Sequence, residues 1–271
     1  MSSPQRITGH FDGGPGSISI SVVSHGQAHL VTSLLADISR HVRPPFEVIL
    51  TLNLPEGLDI SPGSHPFPIR ILENARPKGF AANHNAAFRA SRGEIFCVLN
   101  PDIRLEGDPF PRLIESFDDP SIGVVAPLIR DPAGALEDSA RRFPTSWSIL
   151  RKALRCRVKI DYPIQDRTFF PDWVAGMFMV FPREVFEALG GFDERFFLYY
   201  EDVDLCARLA SAGRRAALCP QATAVHAARR KSRRDLRHFG WHLSSMLRYF
   251  FRYPIGVRNR ERSLAVRTGD D

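Results

Sequence analysis

An α/β fold with a mostly parallel central sheet and helices on both faces is what this 271-residue sequence predicts. Three observations carry it: from residue 17 onward strand-length apolar runs alternate with helical stretches, several runs stop at polar turns, and Gly and Pro punctuate the joints. Ahead of the first strand, residues 1–16 are rich in Gly, Ser and Pro. They lack a basic stretch followed by an apolar one, so they read as a disordered leader rather than a secretory signal.

Ser17 to Ser24 alternates serine with Ile and Val and predicts the first strand, followed by a helix over 28–39. Pro44-Pro45 breaks that helix from a second strand, Phe46 to Leu52. A Pro/Gly-rich loop leads to a short strand, Ile69 to Leu72, and an Ala-rich helix over 81–90. Glu94 to Leu99 is a buried strand ending at Asn100-Pro101-Asp102, and a helix near 111–117 precedes a strand over Ile122 to Ala126. Residues 131–170 carry little pattern, as functional or mobile loops do. Trp173 to Phe181 predicts one strand, 183–189 a short helix, and Gly190-Gly191 its stop. Glu201 to Ala212 reads as a helix with acids in its first turn, and Ala216 to Pro220 as a last short strand. Asp235 to Tyr253 has helical spacing of Leu236, Phe239, Leu243, Met246, Leu247, Phe250 and Phe251.

The net charge of +6 is unevenly spread. Residues 226–262 hold eleven Lys and Arg against Asp235 and Glu261, a +9 segment, which leaves −3 on the rest of the chain. Such a segment seeks phosphate, on lipid, nucleic acid or a pyrophosphate ligand. No apolar run reaches the roughly 18–20 residues that span a bilayer. Cys97, Cys156, Cys206 and Cys219 form no CxxC pair and read as free thiols in a reducing cytoplasm.

Three clusters fall where strands or loops end, the places at which open α/β sheets bind ligands. Asp102 in Asn100-Pro101-Asp102 is either a turn residue or a carboxylate on a rigid strand end, able to hold Mg2+ or Mn2+ against a diphosphate. Glu201, Asp202 and Asp204 follow a run of aromatics. Helix capping and an Asp204–Arg208 pair account for Asp204, while Glu201 or Asp202 can serve as general base if the aromatics desolvate it. His226 follows a short strand, and a lone His is more often structural than a ligand.

These clusters, with four other segments, resemble the family-2 glycosyltransferases in order: Ser19 to Ser24, Glu73-Asn74 with Gly79 to Asn85, Val98 to Asp102, Trp173 to Gly176, Gly190 to Glu194, and Phe197 to Leu205. Asn-Pro-Asp and Glu-Asp-Val-Asp-Leu are most similar to the rhamnosyltransferase-like branch, over roughly residues 17–254. The resemblance implies a GT-A fold over 17–226 with a basic helical extension over 227–271, and inverting, metal-dependent transfer from a nucleotide sugar. It implies Asp202 as catalytic base, with Glu201 the alternative, and Asp102 and His226 as ligands of Mg2+ or Mn2+. Ser24, Asn53, Asn85, Asn100, Asp102 and Gly176 would meet the donor, and Trp173 and Glu201 the acceptor; for Asn85 a helix cap is an equal reading. The branch points to dTDP-rhamnose, ahead of UDP- or GDP-sugars, and to a saccharide or lipid-linked acceptor in surface polysaccharide assembly.

The helix over 235–253 either lies on an anionic membrane or packs on the catalytic domain, and Ala227 to Arg234 either joins that surface or closes over the donor pyrophosphate. The expected place is the cytoplasm, with peripheral attachment to the inner face of its membrane. Two other classes stand against transfer. A nucleic-acid-binding protein has only the +9 segment in its support, with no helix-turn-helix, zinc spacing or RNA-binding aromatics. A nucleotidyltransferase would need a basic Gly-rich loop where Ser24-His25-Gly26-Gln27 stands.

Overall fold

The computed structural model describes residues 5–43, 45–58, 60, 64–145, 161–163, 165–227, 236–254 and 256–257. Its strands are β1 (Gln5–Thr8), β2 (Ile18–Ser24), β3 (Phe46–Leu52), β4 (Ile69–Glu73), β5 (Ile95–Leu99), β6 (Ile103–Arg104), β7 (Ile122–Arg130), β8 (Ala140–Arg141), β9 (Trp173–Val174), β10 (Phe178–Pro182) and β11 (Arg215–His226). Its helices are α1 (Ala28–His41), α2 (Phe80–Ala90), α3 (Phe110–Glu115), α4 (Arg183–Ala188), α5 (Glu201–Ser211) and α6 (Leu236–Arg252).

Nine strands form one sheet in the order β1-β4-β3-β2-β5-β10-β7-β11-β6, and β8 pairs with β9 apart from it. The block β4-β3-β2-β5 is parallel, and so is the pair β7-β11. β10 lies antiparallel between β5 and β7 and joins the two blocks. From β2 the chain steps outward through β3 and β4, then returns by α2 to place β5 on the other side of β2. The ground beyond Ser24 and Leu99 is therefore a switch point, where an open sheet leaves a crevice for ligands.

Both faces of the sheet are covered. In β5, Ile95, Cys97 and Leu99 join a core with Ile20, Val22 and Leu34, whereas Phe96 and Val98 join another with Phe181, Phe186 and Val203. A strand buried on both faces needs an unbroken apolar run, which is what Ile95 to Leu99 supplies. On β2 one row is serine. Ser19 Oγ donates to Glu47 Oε1 at 2.8 Å, and Ser21 Oγ shares a 2.8 Å hydrogen bond with His84 Nδ1, so these small side chains are satisfied while α2 packs over them.

Several elements differ from the sequence expectation. The leader is not wholly without structure, because β1 pairs antiparallel with β4, Thr8 opposite Ile69. The strand expected over Trp173 to Phe181 is two strands, split by a turn at 175–177 where Ala175 N–H donates to Ser139 O and Gly176 N–H donates to Asp202 Oδ2. The last strand does not stop at Pro220. It runs to His226 with a register shift between Cys219 and Thr223, the irregularity that a proline without N–H imposes on a ladder. Within the stretch expected to lack pattern, β8 forms, while residues 146–160, including Cys156, lie outside the described residues; Cys97, Cys206 and Cys219 are free and buried.

Helix α6 packs on the domain with Phe250 half-buried against the core. Tyr249 and Ser245 are the buried positions, Ser245 Oγ donates to Leu198 O at 3.0 Å, and Tyr253, just past the helix, donates from its hydroxyl to Asp204 Oδ1 at 3.2 Å. Phe239, Leu243, Leu247 and Phe251 point outward. The basic residues 229–234 and 258–262 lie outside the described residues. Among those described, no helix is long and apolar enough to cross a membrane.

Candidate active site

Asp102 is held by the sheet on both sides. Directly after it, β6 pairs with the end of β11, so that Ile103 stands opposite His226, and Ala227 N–H donates to Asp102 O at 2.8 Å. From the other side α1 fixes β6. Arg104 reaches Asp37 with Nε at 2.5 Å and Nη2 at 2.8 Å, and Leu105 N–H adds a third bond at 3.1 Å. Burial pushes the Asp37 carboxyl up, but the Arg104 fork and the Leu105 N–H outweigh it and hold the carboxyl below its usual range.

His226 bridges two acids. Its Nε2 is 3.2 Å from Asp102 Oδ2 and its Nδ1 is 2.6 Å from Glu137 Oε2. Burial alone would lower its pKa. The two carboxylates reverse that and raise it to about 9, so with no cation bound the ring is an imidazolium donating to both. Asp102 Oδ1 is buried with no hydrogen-bond partner. An orphaned carboxylate oxygen beside an imidazole nitrogen is a donor set that Mg2+ or Mn2+ fits, and Glu137 on the far nitrogen is the outer carboxylate that such ligating histidines use. Among the described residues no group of three or more His, Cys, Asp or Glu gathers into a cation site. A cation here would complete its shell from water and substrate phosphate, as Mg2+ commonly does.

One turn joins this strand end to the second acidic cluster. Asn100 N–H donates to Met177 O at 2.9 Å, and one residue earlier Gly176 N–H donates to Asp202 Oδ2 at 2.9 Å. Asp202 is half-buried and takes a second bond from Val203 N–H at 2.8 Å to Oδ1. Burial pushes its carboxyl up, opposed by those two N–H groups and by the charge of Arg141. Glu201 is only 5 % exposed, its Oε2 has no partner, and burial and the neighbouring Asp202 charge drive its carboxyl well above the usual range. Asp202 is thus the carboxylate that ionises first. Glu201, expected as alternative base and acceptor contact, is buried beside it with one carboxylate oxygen unpartnered.

The residues before α5 are strained. Tyr199 and Tyr200 both hold left-handed backbone, φ 70° and 68°, at about 1–3 kcal/mol each for non-glycine residues. Packing sustains the strain: the Tyr199 hydroxyl is 3.2 Å from His238 Nδ1, and the Tyr200 ring lies 5.5 Å from both His242 and Tyr249, all three on α6.

Several residues expected to meet donor or acceptor are bonded within the chain. Ser24 is fully buried and its hydroxyl accepts from Gln27 N–H at 3.3 Å at the entry to α1. Asn53 uses all four of its amide positions, accepting from Lys78 N–H and Asn74 Nδ2 and donating to Lys78 O and His25 Nδ1. Asn85 clamps the turn before α5, donating to Phe192 O and Glu194 Oε1 and accepting from Phe192 N–H; a Cβ on Gly191 would stand 2.5 Å from its Oδ1. Trp173 is buried with Nε1 donating to Arg142 O at 3.0 Å, and Arg141 lies 5.4 Å over its ring. Gly176 packs against Asp202 and Phe80, and Asn100 stays half-buried beside Met177, so both stand at the crevice. Sequence reasoning missed Glu137 and Arg141. Both sit in the stretch without pattern: the pairing of β8 with β9 places Arg141, and the Glu137 N–H bond to Ile129 O with its contact to His226 places Glu137.

The model of the family described as "Glycosyltransferase like family 2" matches residues 15–243. The chain belongs to that family. It is a glycosyltransferase of a rhamnosyltransferase-like branch: it is 30% identical to the rhamnosyltransferase WbbL of Escherichia coli K12 over 260 residues, 91% of this chain and 98% of that protein. It is 32% identical to the N-acetylglucosaminyl-diphospho-decaprenol L-rhamnosyltransferase of Mycobacterium tuberculosis H37Rv over 192 residues, 60% of this chain and 61% of that one. Solved neighbours show the GT-A fold. The mannosyltransferase PcManGT of Pyrobaculum calidifontis, in complex with GDP-Man and Mn2+, aligns with a TM-score of 0.56 at 21% identity over 79% of this chain and 58% of that one. GalNAc-T7, solved with UDP, GalNAc and Mn2+, aligns at 0.59 and 15% identity over 79% of this chain and 44% of that one.

Proposed function

We propose that this glycosyltransferase moves rhamnose from dTDP-rhamnose to a hydroxyl of a saccharide or lipid-linked saccharide, with inversion, during surface polysaccharide assembly in the cytoplasm. The observation that carries the reading is the 175–177 turn. It ties a half-buried carboxylate with a raised pKa, Asp202, to the strand end that presents Asp102 with an orphaned oxygen. The relatives named above as rhamnosyltransferases support the choice of sugar.

Asp202 takes the proton of the acceptor hydroxyl, a role worth ~10²–10⁴-fold for a placed carboxylate. The acceptor oxygen then bonds to the anomeric carbon on the face opposite the diphosphate, the carbon–oxygen bond to the diphosphate breaks, and the electron pair leaves with the nucleotide. Gly176 and Val203 N–H groups keep the Asp202 oxygens aimed, and its raised pKa makes it a better proton acceptor. Asp102 and His226 would hold Mg2+ or Mn2+, which when bound neutralises charge on the leaving diphosphate. To hold such a cation His226 would be neutral, and Glu137 at its far nitrogen would keep the ring oriented.

Thermal-shift and calorimetric titrations with dTDP-, UDP- and GDP-sugars, each with Mg2+ or Mn2+, test the reading, with NMR of the product giving the anomeric configuration. The expected result is cation-dependent binding of dTDP-rhamnose that Asp102→Ala weakens. Preference for another donor would replace the sugar, retained configuration would exclude inversion, and equal binding by Asp102→Ala would remove the cation role. The rival reading as a nucleic-acid binder finds no support in a chain of this family, and a −3 body housing two acid clusters repels nucleic acid from the crevice.

A further inference from the structure

Helix α6 carries an apolar stripe on the wrong side for core packing. Phe239, Leu243, Leu247 and Phe251, spaced four apart, are 67, 39, 48 and 85 % exposed, while the opposite side holds buried Ser245 and Tyr249. Fold stability explains the second row and not the first. A helix with one apolar row buried and another in water has an unfilled partner for the outer one.

The charges beside the stripe select that partner. Arg195, Arg248 and Arg252 line a hollow with Leu247, Phe251 and Ser244 on the same outer face. Asp193 pairs with both Arg195 and Arg252, Arg252 also reaches the buried Asp204, and Asp204 is already paired with Arg208. Arg248 has no acidic partner among the described residues. On the outer face Arg195, Arg248 and Arg252 stand against Asp193, which leaves it cationic. In the sequence, five basic residues precede α6 between 229 and 234, and Arg258, Arg260 and Arg262 follow it.

We propose that this outer face of α6 docks on an anionic phospholipid bilayer, the four apolar side chains entering the headgroup boundary and the arginines meeting lipid phosphate. An interfacial helix is recognised by just this pairing of an apolar face with flanking cations on a segment that cannot span. A protein partner with an acidic, apolar groove would satisfy the same charges. The bilayer is favoured because the exposed apolar row runs over three turns of the helix, and because cations flank the helix at both ends of the sequence. The inner row of the same helix holds Leu198, Tyr199 and Tyr200, just before Glu201 and Asp202, so docking sets the base segment one helix width, ~10 Å, from the lipid surface. The proposal goes beyond the transfer reaction and does not depend on the identity of donor or acceptor.

Co-sedimentation of the full chain with vesicles of phosphatidylglycerol and phosphatidylethanolamine, and with purely zwitterionic vesicles, tests it. Expected are binding to the anionic vesicles only, weakening as salt is raised, and at least about a tenfold loss in the Leu247→Asp/Phe251→Asp double variant. Both residues are exposed, and unchanged circular dichroism and thermal midpoint confirm that the variant folds. A milder variant, Phe251→Ser, should lose part of the binding. Failure of the wild type to bind, equal binding by the double variant, or indifference to lipid charge would overturn the proposal. So would a concentration-dependent dimer by sedimentation that the double variant abolishes, which would make a second copy the occupant. Nucleotide-sugar binding measured on the same preparations reports separately on the transfer reading, since a chain that binds donor but not vesicles sinks only the docking surface.

Discussion

Two polar clusters stand past the strand ends of this molecule, and they are built oppositely. Beyond β3 and β4, Asn53, Asn74 and Asn83 bond to one another and the Lys78 backbone, with Asn74 Nδ2 reaching Asn53 Oδ1 at 2.9 Å and Asn83 Oδ1 at 2.7 Å. Beyond β5 and ahead of α5, Asp102 and Glu201 each keep a buried carboxylate oxygen with no partner. Interlocked amides make a frame, because all four amide positions of Asn53 are used and Asn74 and Asn83 bond into the same network. Unfinished carboxylates beside a strained Tyr199-Tyr200 pair are what a site looks like before its ligands arrive.

The sharpest way to test this contrast is Asp202→Asn. It should keep donor binding and lose transfer by ~10²–10⁴-fold, read from single-turnover rates beside calorimetry; near-normal transfer would break the assignment of the base. On the frame side, Asn53→Ala leaves the Lys78 N–H and the Asn74 amide short of partners. It should cost about 2–3 kcal/mol in urea unfolding. A loss of donor affinity with stability unchanged would instead make Asn53 part of the site. Glu137→Gln should weaken Mn2+ affinity by ~10–100-fold, and should also lower the thermal midpoint without cation, because Glu137 then pairs with the His226 imidazolium. An unchanged Mn2+ titration would return His226 to a purely structural role.

A last test concerns pH, where each single unit carries only a modest effect. His84 is buried and neutral, with burial lowering its pKa from 6.5 to about 3. The unfolded chain therefore binds a proton there that the folded chain refuses. Stability is full above pH 6.5 and falls as pH drops toward 3, by about 1.4 kcal/mol per pH unit from this group. His84→Gln should flatten that part of a urea-unfolding series; an unaltered slope would show that other groups carry it.

Much of the frame was legible in the sequence because strands buried on both faces, such as Ile95 to Leu99, write themselves as unbroken apolar runs with polar ends. The acids at Asp102 and Asp202 were legible for the same reason, standing at the stops of those runs. What could not be read was partnership across distance. Asn85 has a residue type that suits a donor contact, yet its partner is Phe192, 107 residues away. Glu137 lies in a stretch without period, and no local signal marks it as the acid that orients His226. The turn at 175–177 interrupts an apolar run with no strong breaker except Gly176, so one strand was expected where two form. For α6 the period gave amphipathicity but not which row faces inward, since Tyr249 and Ser245 outcompete Phe251 for the core.

β11 has one more consequence, and it concerns time. This twelve-residue strand is inserted between β7 and β6, and its last residue is the one that meets Asp102. Until the ribosome has released residue 226, β6 has no strand beside it in the sheet and Asp102 lacks its histidine. Pairing so distant in sequence closes slowly. The nascent chain can complete its β2–β5 block early, whereas the contact between Asp102 and His226 cannot form until β11 has been made.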